Sequence, residues 1–532
     1  MISPDSTIDA RVYARRWWTL GVLCLSLVLI GLDNTVLNVA LPTIQRTFSA
    51  TAAALQWTVD AYVLVFAGLL LTMGALGDRF GRARALQIGL VIFGVSSLTA
   101  PLATEMTHLI AVRVAMGVGG ALIMPSTLSI IANVFPPGER AKAITVWAGV
   151  SGLGVGLGPL VGGLLIENFQ WSAVFLLNVP IVVVALLLGL VLVPESRDPS
   201  QARLDLPGAV LSIGAVSALV YGIIEAPAAG WADPVILGSF AVAVILGLAF
   251  AWRETHTAEP MLDLSLFHDA RFTAGAGAIS LTFFAMFGTI FGLTQFLQFV
   301  LGKTALEAGT LMVPLALGIP VGARISLKAV EHAGTNRVMA GGLILVAIVL
   351  LSLTRWTPTT ETWVVSLTLF FLAIGLANVM APGTGAVMSA VPEAKAGVGS
   401  AMNDLFRQLG GALGVAVIGS AINTVYRERI ADAITGLPGP AADAAGDSVG
   451  AAVAIAGQVG GPGGQALAAA ARAGFTDALG VAAVVAASVA VLTAIFVFRA
   501  MPARPTEPEA TSALQATAAA GALATAEDRT GG

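Results

Sequence analysis

Apolar stretches of about twenty residues, the length a helix needs to cross ~30 Å of hydrocarbon, recur along the whole sequence. Fourteen can be placed, near residues 17–40, 55–76, 85–104, 107–133, 142–165, 173–193, 207–227, 233–252, 272–297, 306–328, 337–354, 362–386, 398–425 and 478–499. Hydrocarbon offers no water to peptide groups, so each stretch must satisfy its own as a helix. All are too long and too evenly apolar for barrel strands. Of 532 residues 57% are hydrophobic and 11% charged, against roughly 25% charged in a soluble domain. The predicted fold class is an all-α polytopic membrane protein.

Several function classes fall away at once. A net charge of -4 is small and spread out, with no basic stripe for nucleic acid. Cys24 is the single cysteine, which excludes an internal disulfide and a Cys metal cluster. His108, His256, His268 and His332 fall at span ends or in loops, and no HExxH pattern occurs. GKT at Gly302–Thr304 lacks the earlier glycine of a phosphate-binding loop, because Leu297 stands there. GVSG at Gly149–Gly152 has no membrane histidine to act as its base, and GVGLGP has no strand before it. No metal, no cofactor and no enzymatic activity are expected.

Orientation follows from the basic residues. With the N-terminus inside, most of the 27 Lys and Arg flank the cytoplasmic ends. Arg46, Lys303, Arg355 and the loop residues Arg427, Arg429 and Arg472 fall outside, while Arg113 and Arg407 lie within spans. Both termini are therefore expected in the cytoplasm. The first apolar run is too long for a signal-peptide core and reads as a retained helix. The expected organisation is a cytoplasmic N-terminus (1–16), a six-helix half (17–193), a linker with two inserted helices (194–271) and a second six-helix half (272–499). An Ala/Gly/Asp-rich external loop at 426–477, with its Gly460–Gly464 cluster and room for one interfacial helix, and a disordered tail at 500–532 complete it. The turn Gly77–Arg84 and the later stretch Val330–Arg337 share an acid, a basic-capable residue, a glycine and a final arginine at equal offsets. Repeated halves around a central site are what secondary transporters use for alternating access.

Charges inside spans are the candidate functional groups, since each costs at least ~2.5 kcal/mol on insertion scales. Asp33 sits in the outer half of span one, in LDNTVLNVALP with Asn34 and Asn38. Asp60 in span two and Arg113 in span four lie near the same depth, and a competition for Asp33 between Arg113 and a proton is a workable switch. In span thirteen Asp404 and Arg407 share a helical face and could simply pair. Glu225, at the outer end of span seven, reads as interfacial. Gly154, Gly158 and Gly162, with Pro159, form a small-residue face on span five that permits close packing and bending. At the turn after span two, Gly77 and Gly81 allow a tight reversal, and Asp78 could cap the next helix.

GALGDRFGRARAL, from Gly74, resembles the loop motif of the major facilitator superfamily. GVGLGPLVGG is similar to the span-five motif of its proton-coupled exporters, and LDNTVLNVALP, QWTVDAY from Gln56, WSAVFLLNVPI from Trp171 and PMLDLSLF from Pro260 resemble motifs of its fourteen-helix drug:proton antiporter subfamily. The resemblance runs from about residue 17 to 499. It implies two six-helix halves plus two central helices, with Asp78, Arg79, Gly81 and Arg82 as gating residues alongside the span-five glycines. It also implies proton coupling through Asp33 and Arg113, and contact with a lipophilic substrate through Asp60, Asp404, Asn34 and Asn38. QWTVDAY points to exporters of quaternary ammonium and other lipophilic cations, whereas Asn403 and Ile319 stand where acids occur in some of them. The expected activity is export of an amphipathic, cationic drug across the bacterial cytoplasmic membrane by a monomer, driven by the proton gradient. An exporter of a neutral or anionic natural product or amino acid, and a non-transporting membrane sensor, remain as alternatives.

Overall fold

The computed structural model describes residues 10–197, 205–257, 260, 264–391 and 396–502, with some side chains within 137–156 and 396–401 left undescribed. Its first half comprises α1 (Ala10–Phe48), α2 (Ala52–Phe80), α3 (Arg82–Thr99), α4 (Met106–Val134), α5 (Pro137–Asn168) and the broken pair α6 (Ala173–Leu176) and α7 (Asn178–Leu192). The inserted hairpin is α8 (Leu206–Ala229) and α9 (Pro234–His256). The second half begins with α10 (Ala270–Gln295), which runs into a π-helical turn, Phe296–Val300. α11 (Ala305–Leu311), α12 (Val313–Ala333), α13 (Thr335–Ser352), α14 (Thr362–Ser389) and α15 (Ala396–Ile434) follow. Two short helices, α16 (Gly439–Asp447) and α17 (Val449–Val459), lead to α18 (Gly461–Ala500). Thirteen helical segments among the described residues are long and apolar enough to cross a membrane. With α5, 32 residues long, they account for each of the fourteen apolar stretches.

The two halves repeat one packing pattern. α1 packs on α5, α2 on α4, and α3 on α4 and α7; in the second half α10 packs on α15, α12 on α14, and α13 on α14 and α18. The turns that opened the sequence repeat also correspond. Gly81 starts α3 at φ +127° and Gly334 starts α13 at φ +87°, a region where a Cβ is strained and glycine is not. Two seams join the halves, α2 against α15 and α5 against α11 and α12.

The Ala/Gly-rich segment 426–477 is more helical than a loop with one interfacial helix. α15 continues to Ile434, α16 and α17 follow, and α18 begins at Gly461, well before the membrane-depth residues. Alanine is the strongest helix former, so this composition favours helix. The glycine cluster marks one sharp break, with Gly460 and Gly461 at φ +63° and +57°. α1 likewise starts at Ala10, inside the stretch read as an N-terminal extension. Residues 503–532 of the tail and Met261, Leu262 and Asp263 of PMLDLSLF lie outside the described residues.

Candidate functional site

At the centre of the first half Asp33 and Arg113 form an ion pair, Arg113 Nη1 donating to Asp33 Oδ2 at 2.5 Å. Arg113 is 1% exposed and Asp33 4%. The guanidinium uses its remaining capacity well: Nε donates to the Thr58 carbonyl at 3.0 Å, and the group lies 4.2 Å from the Tyr62 ring centroid. The second carboxylate oxygen of Asp33 accepts from Asn178 Nδ2 at 3.0 Å, and that amide also reaches Ser97 Oγ at 3.2 Å. Removing one member of such a buried pair typically costs 3–5 kcal/mol, because the other charge is stranded. Asn178 was not singled out from the sequence. Its signal was an amide in an otherwise apolar LLNVP stretch, placed at the break between α6 and α7.

Asp60 lies two residues beyond Thr58 on α2, is 0% exposed, and has no hydrogen-bond partner on either oxygen. A carboxylate enclosed this way calls for compensating positive charge, a proton or a cation. Asp404 is 5% exposed and accepts from Arg407 Nη1 at 3.3 Å, the in-helix pair that their spacing allows. Arg407 also sits 4.7 Å from the Phe283 ring centroid. The neighbouring Asn403 Oδ1 accepts from Thr384 at 3.3 Å. Glu225 accepts from Trp57 Nε1 at 3.0 Å, which ties the inserted α8 to α2 in the QWTVDAY stretch.

A cavity opens between the halves, lined by Thr35 and Asn38 of α1, Pro159 of α5, Met286, Phe287 and Ile290 of α10, and Met312, Leu315, Ala316 and Ile319 around the α11–α12 break. It touches neither Asp60 nor Asp404, the acids assigned to substrate from the sequence. Asn38 does face it, whereas Asn34 contributes its carbonyl to Asn38 Nδ2 at 2.9 Å.

The glycines of α5 hold this wall in place. A Cβ at Gly162 would meet the Val36 carbonyl oxygen at 3.0 Å, and one at Gly158 would collide with Thr35 of α1. On the other flank a Cβ at Gly163 would meet the Ala305 carbonyl oxygen of α11 at 2.7 Å. The side-chain surroundings of Gly154 lie outside the described residues.

At the turn between α2 and α3 Asp78 Oδ1 accepts from Arg82 Nε at 2.6 Å, and Arg82 Nη1 reaches the Ser129 carbonyl at 3.4 Å. Arg79 is exposed, 5.5 Å from the Phe80 ring centroid. Glu195, beyond α7, caps this turn: it accepts from the Ala83 amide at 3.2 Å and pairs with Arg84 at 3.4 Å. Arg16 pairs with Glu139 at 2.7 Å at the same end. These ion pairs all stay within the first half. The polar ties described between the halves lie toward the opposite end, where Gln298 donates to the Val39 carbonyl at 2.9 Å and Gln56 to the Val415 carbonyl at 3.3 Å. There Gln45 bonds Ser448 at the start of α17, and the Leu306 amide reaches Glu167 at 3.3 Å.

Residues 23–415 match the family model described as Major Facilitator Superfamily. The chain belongs to that superfamily. Among its facilitator relatives, the multidrug efflux pump LfrA of Mycolicibacterium smegmatis is 37% identical over 93% of this chain and 97% of its own. The tetracenomycin C resistance and export protein of Streptomyces glaucescens is 34% identical over 93% of both chains. The methyl viologen resistance protein SmvA of Salmonella typhimurium is 35% identical over 90% of this chain and 97% of its own. The facilitator fold itself is shared with a solved bacterial homologue of the human lysosomal transporter Spinster, at TM-score 0.63 and 18% identity, over 91% of this chain and 98% of that one.

Proposed function

We propose that this facilitator is a proton-driven exporter of amphipathic, cationic drugs or toxic compounds, acting as a monomer in a bacterial cytoplasmic membrane with both termini inside. The observation that carries the reading is the enclosed Asp33–Arg113 pair, a carboxylate at membrane depth whose counter-charge a proton can displace. Support comes from relatives named for efflux and resistance, and from the orientation of the basic residues.

The halves are closed on the outer side and tied there by Gln45, Gln56 and Gln298. The cavity is then the inward-accessible arm of an alternating-access cycle. After outward opening, a proton on Asp33 releases Arg113 and lets the α1–α4 contact rearrange. Return inward discharges the proton, and the pair re-forms. Each charge moved adds ~2.3 kcal/mol per 100 mV of membrane potential, so no bound cofactor is required. Asp60, enclosed and without a hydrogen-bond partner on α2, is the second carboxylate and the one suited to alternate between proton and cation.

In liposomes of purified protein, an imposed pH gradient should drive ethidium across the membrane, and substrate addition should dissipate the gradient. Absence of proton movement with every substrate tried would sink the antiport reading. Asp60→Asn should abolish transport of cations and spare neutral compounds; equal loss of both would instead assign Asp60 to proton coupling.

A further inference from the structure

Two polar side chains among the described residues line the cavity between the halves, Asn38 and Thr35. Asn38 is 2% exposed, its Nδ2 donates to the Asn34 carbonyl at 2.9 Å, and its Oδ1 is buried with no hydrogen-bond partner. Thr35, one turn away on the same face, spends its hydroxyl proton on the Gly31 carbonyl at 3.0 Å, which leaves an oxygen that can only accept. The rest of the described lining is hydrocarbon, thioether or ring, including Met286, Phe287 and Met312, and no charged side chain among the described residues lines it. A buried acceptor without a donor carries a desolvation penalty that a ligand's N–H or O–H would remove. A ligand without a donor would leave that penalty standing, and discrimination of this sort is stronger than that from shape in an apolar pocket.

We infer that Asn38 Oδ1 selects substrates that present an N–H or O–H donor, protonated amines foremost, over permanently alkylated ammonium ions of the same body and charge. The inference rests on the exporter reading and names the substrate class of that site. Asn38 orients the donor end, the methionines and Phe287 take the apolar body, and the positive charge is carried by the ligand's own N–H.

The test uses the full chain in lipid nanodiscs and a matched pair of probes, imipramine and its N-methyl quaternary derivative. Both are monocations at pH 7 and differ in one group, a proton against a methyl. The wild-type protein should release bound ethidium at about tenfold lower concentration of imipramine than of the quaternary compound, a ratio of ~1.4 kcal/mol. The added methyl by itself would favour the quaternary ion. Asn38→Leu should bring the ratio within twofold while still binding the quaternary ion, and Asn38→Asp, which keeps an acceptor, should retain the preference. Equal displacement by the two compounds from the wild-type protein overturns the inference whether or not the leucine variant folds, and so does a preference that survives in Asn38→Leu. If ethidium and both probes neither bind nor move, the exporter reading falls, and the inference falls with it.

Discussion

Asp33 holds its place because four other groups are shaped around it: Arg113, Asn178, and through them Thr58 and Ser97. Such a network makes single and double changes unequal. Asp33→Asn leaves a guanidinium buried without its counter-ion and should cost about 3–5 kcal/mol, as should Arg113→Gln, whereas the double variant should cost much less than the sum. Thermal unfolding of the four proteins in one detergent measures this; additive losses would show that the two residues do not interact energetically. Asp33 and Arg113 were legible in the sequence because charge in an apolar run is conspicuous. Asn178 and Glu195 were not. One is an uncharged amide and the other a carboxylate in a polar connection, and their importance depends on α7 returning beside α1 and α3.

Among the elements, close approach of helices explains more than any polar contact. α5 lies against α1 along Gly158 and Gly162, and α15 repeats the device against α10, where a Cβ at Gly414 would meet Phe284 Cα at 2.7 Å and one at Gly410 would meet Ser280 Cα at 2.8 Å. Gly162→Val and Gly414→Val should each destabilise the protein by about 1–3 kcal/mol, since neither backbone can retreat without opening its half. Comparable denaturation midpoints for the valine variants and the parent would refute this. The α5 glycines could be read from their spacing. Their counterparts in α15 are less conspicuous, because Gly410 and Gly414 share their stretch with Asp404 and Arg407. Only one interfacial helix was legible where α16 and α17 stand, because these Ala/Gly segments are too short for a span and their ends are set by docking. Tyr426 donates to the Ala445 carbonyl at 3.0 Å, Arg427 pairs with Asp447, and Gln45 bonds Ser448.

For the whole molecule, α17 is a strap: it springs from the second half and rests on the end of α1. Cysteines at 45 and 448, in a Cys24→Ala background, should join under mild oxidation, stop transport, and release it again on reduction. Oxidised protein that is crosslinked and still transports would show that the outer ends need not separate. Fourteen spans and two halves were visible in hydropathy and charge; which helices meet across the midline was not, because seams are formed by residues hundreds of positions apart. One seam carries an asymmetry. α8 packs on both α2 and α15, with Trp57 and Tyr221 rings 6.3 Å apart and Ile213 filling the space beside Gly68. The helices of the opposite seam keep Leu157 and Leu164 of α5, and Leu317 and Val321 of α12, exposed. The protein thus has a front and a back in the plane of the bilayer. A molecule dissolved in lipid meets a covered joint on one side and a bare one on the other, and the bare side is where Pro159 and Ile319 border the cavity.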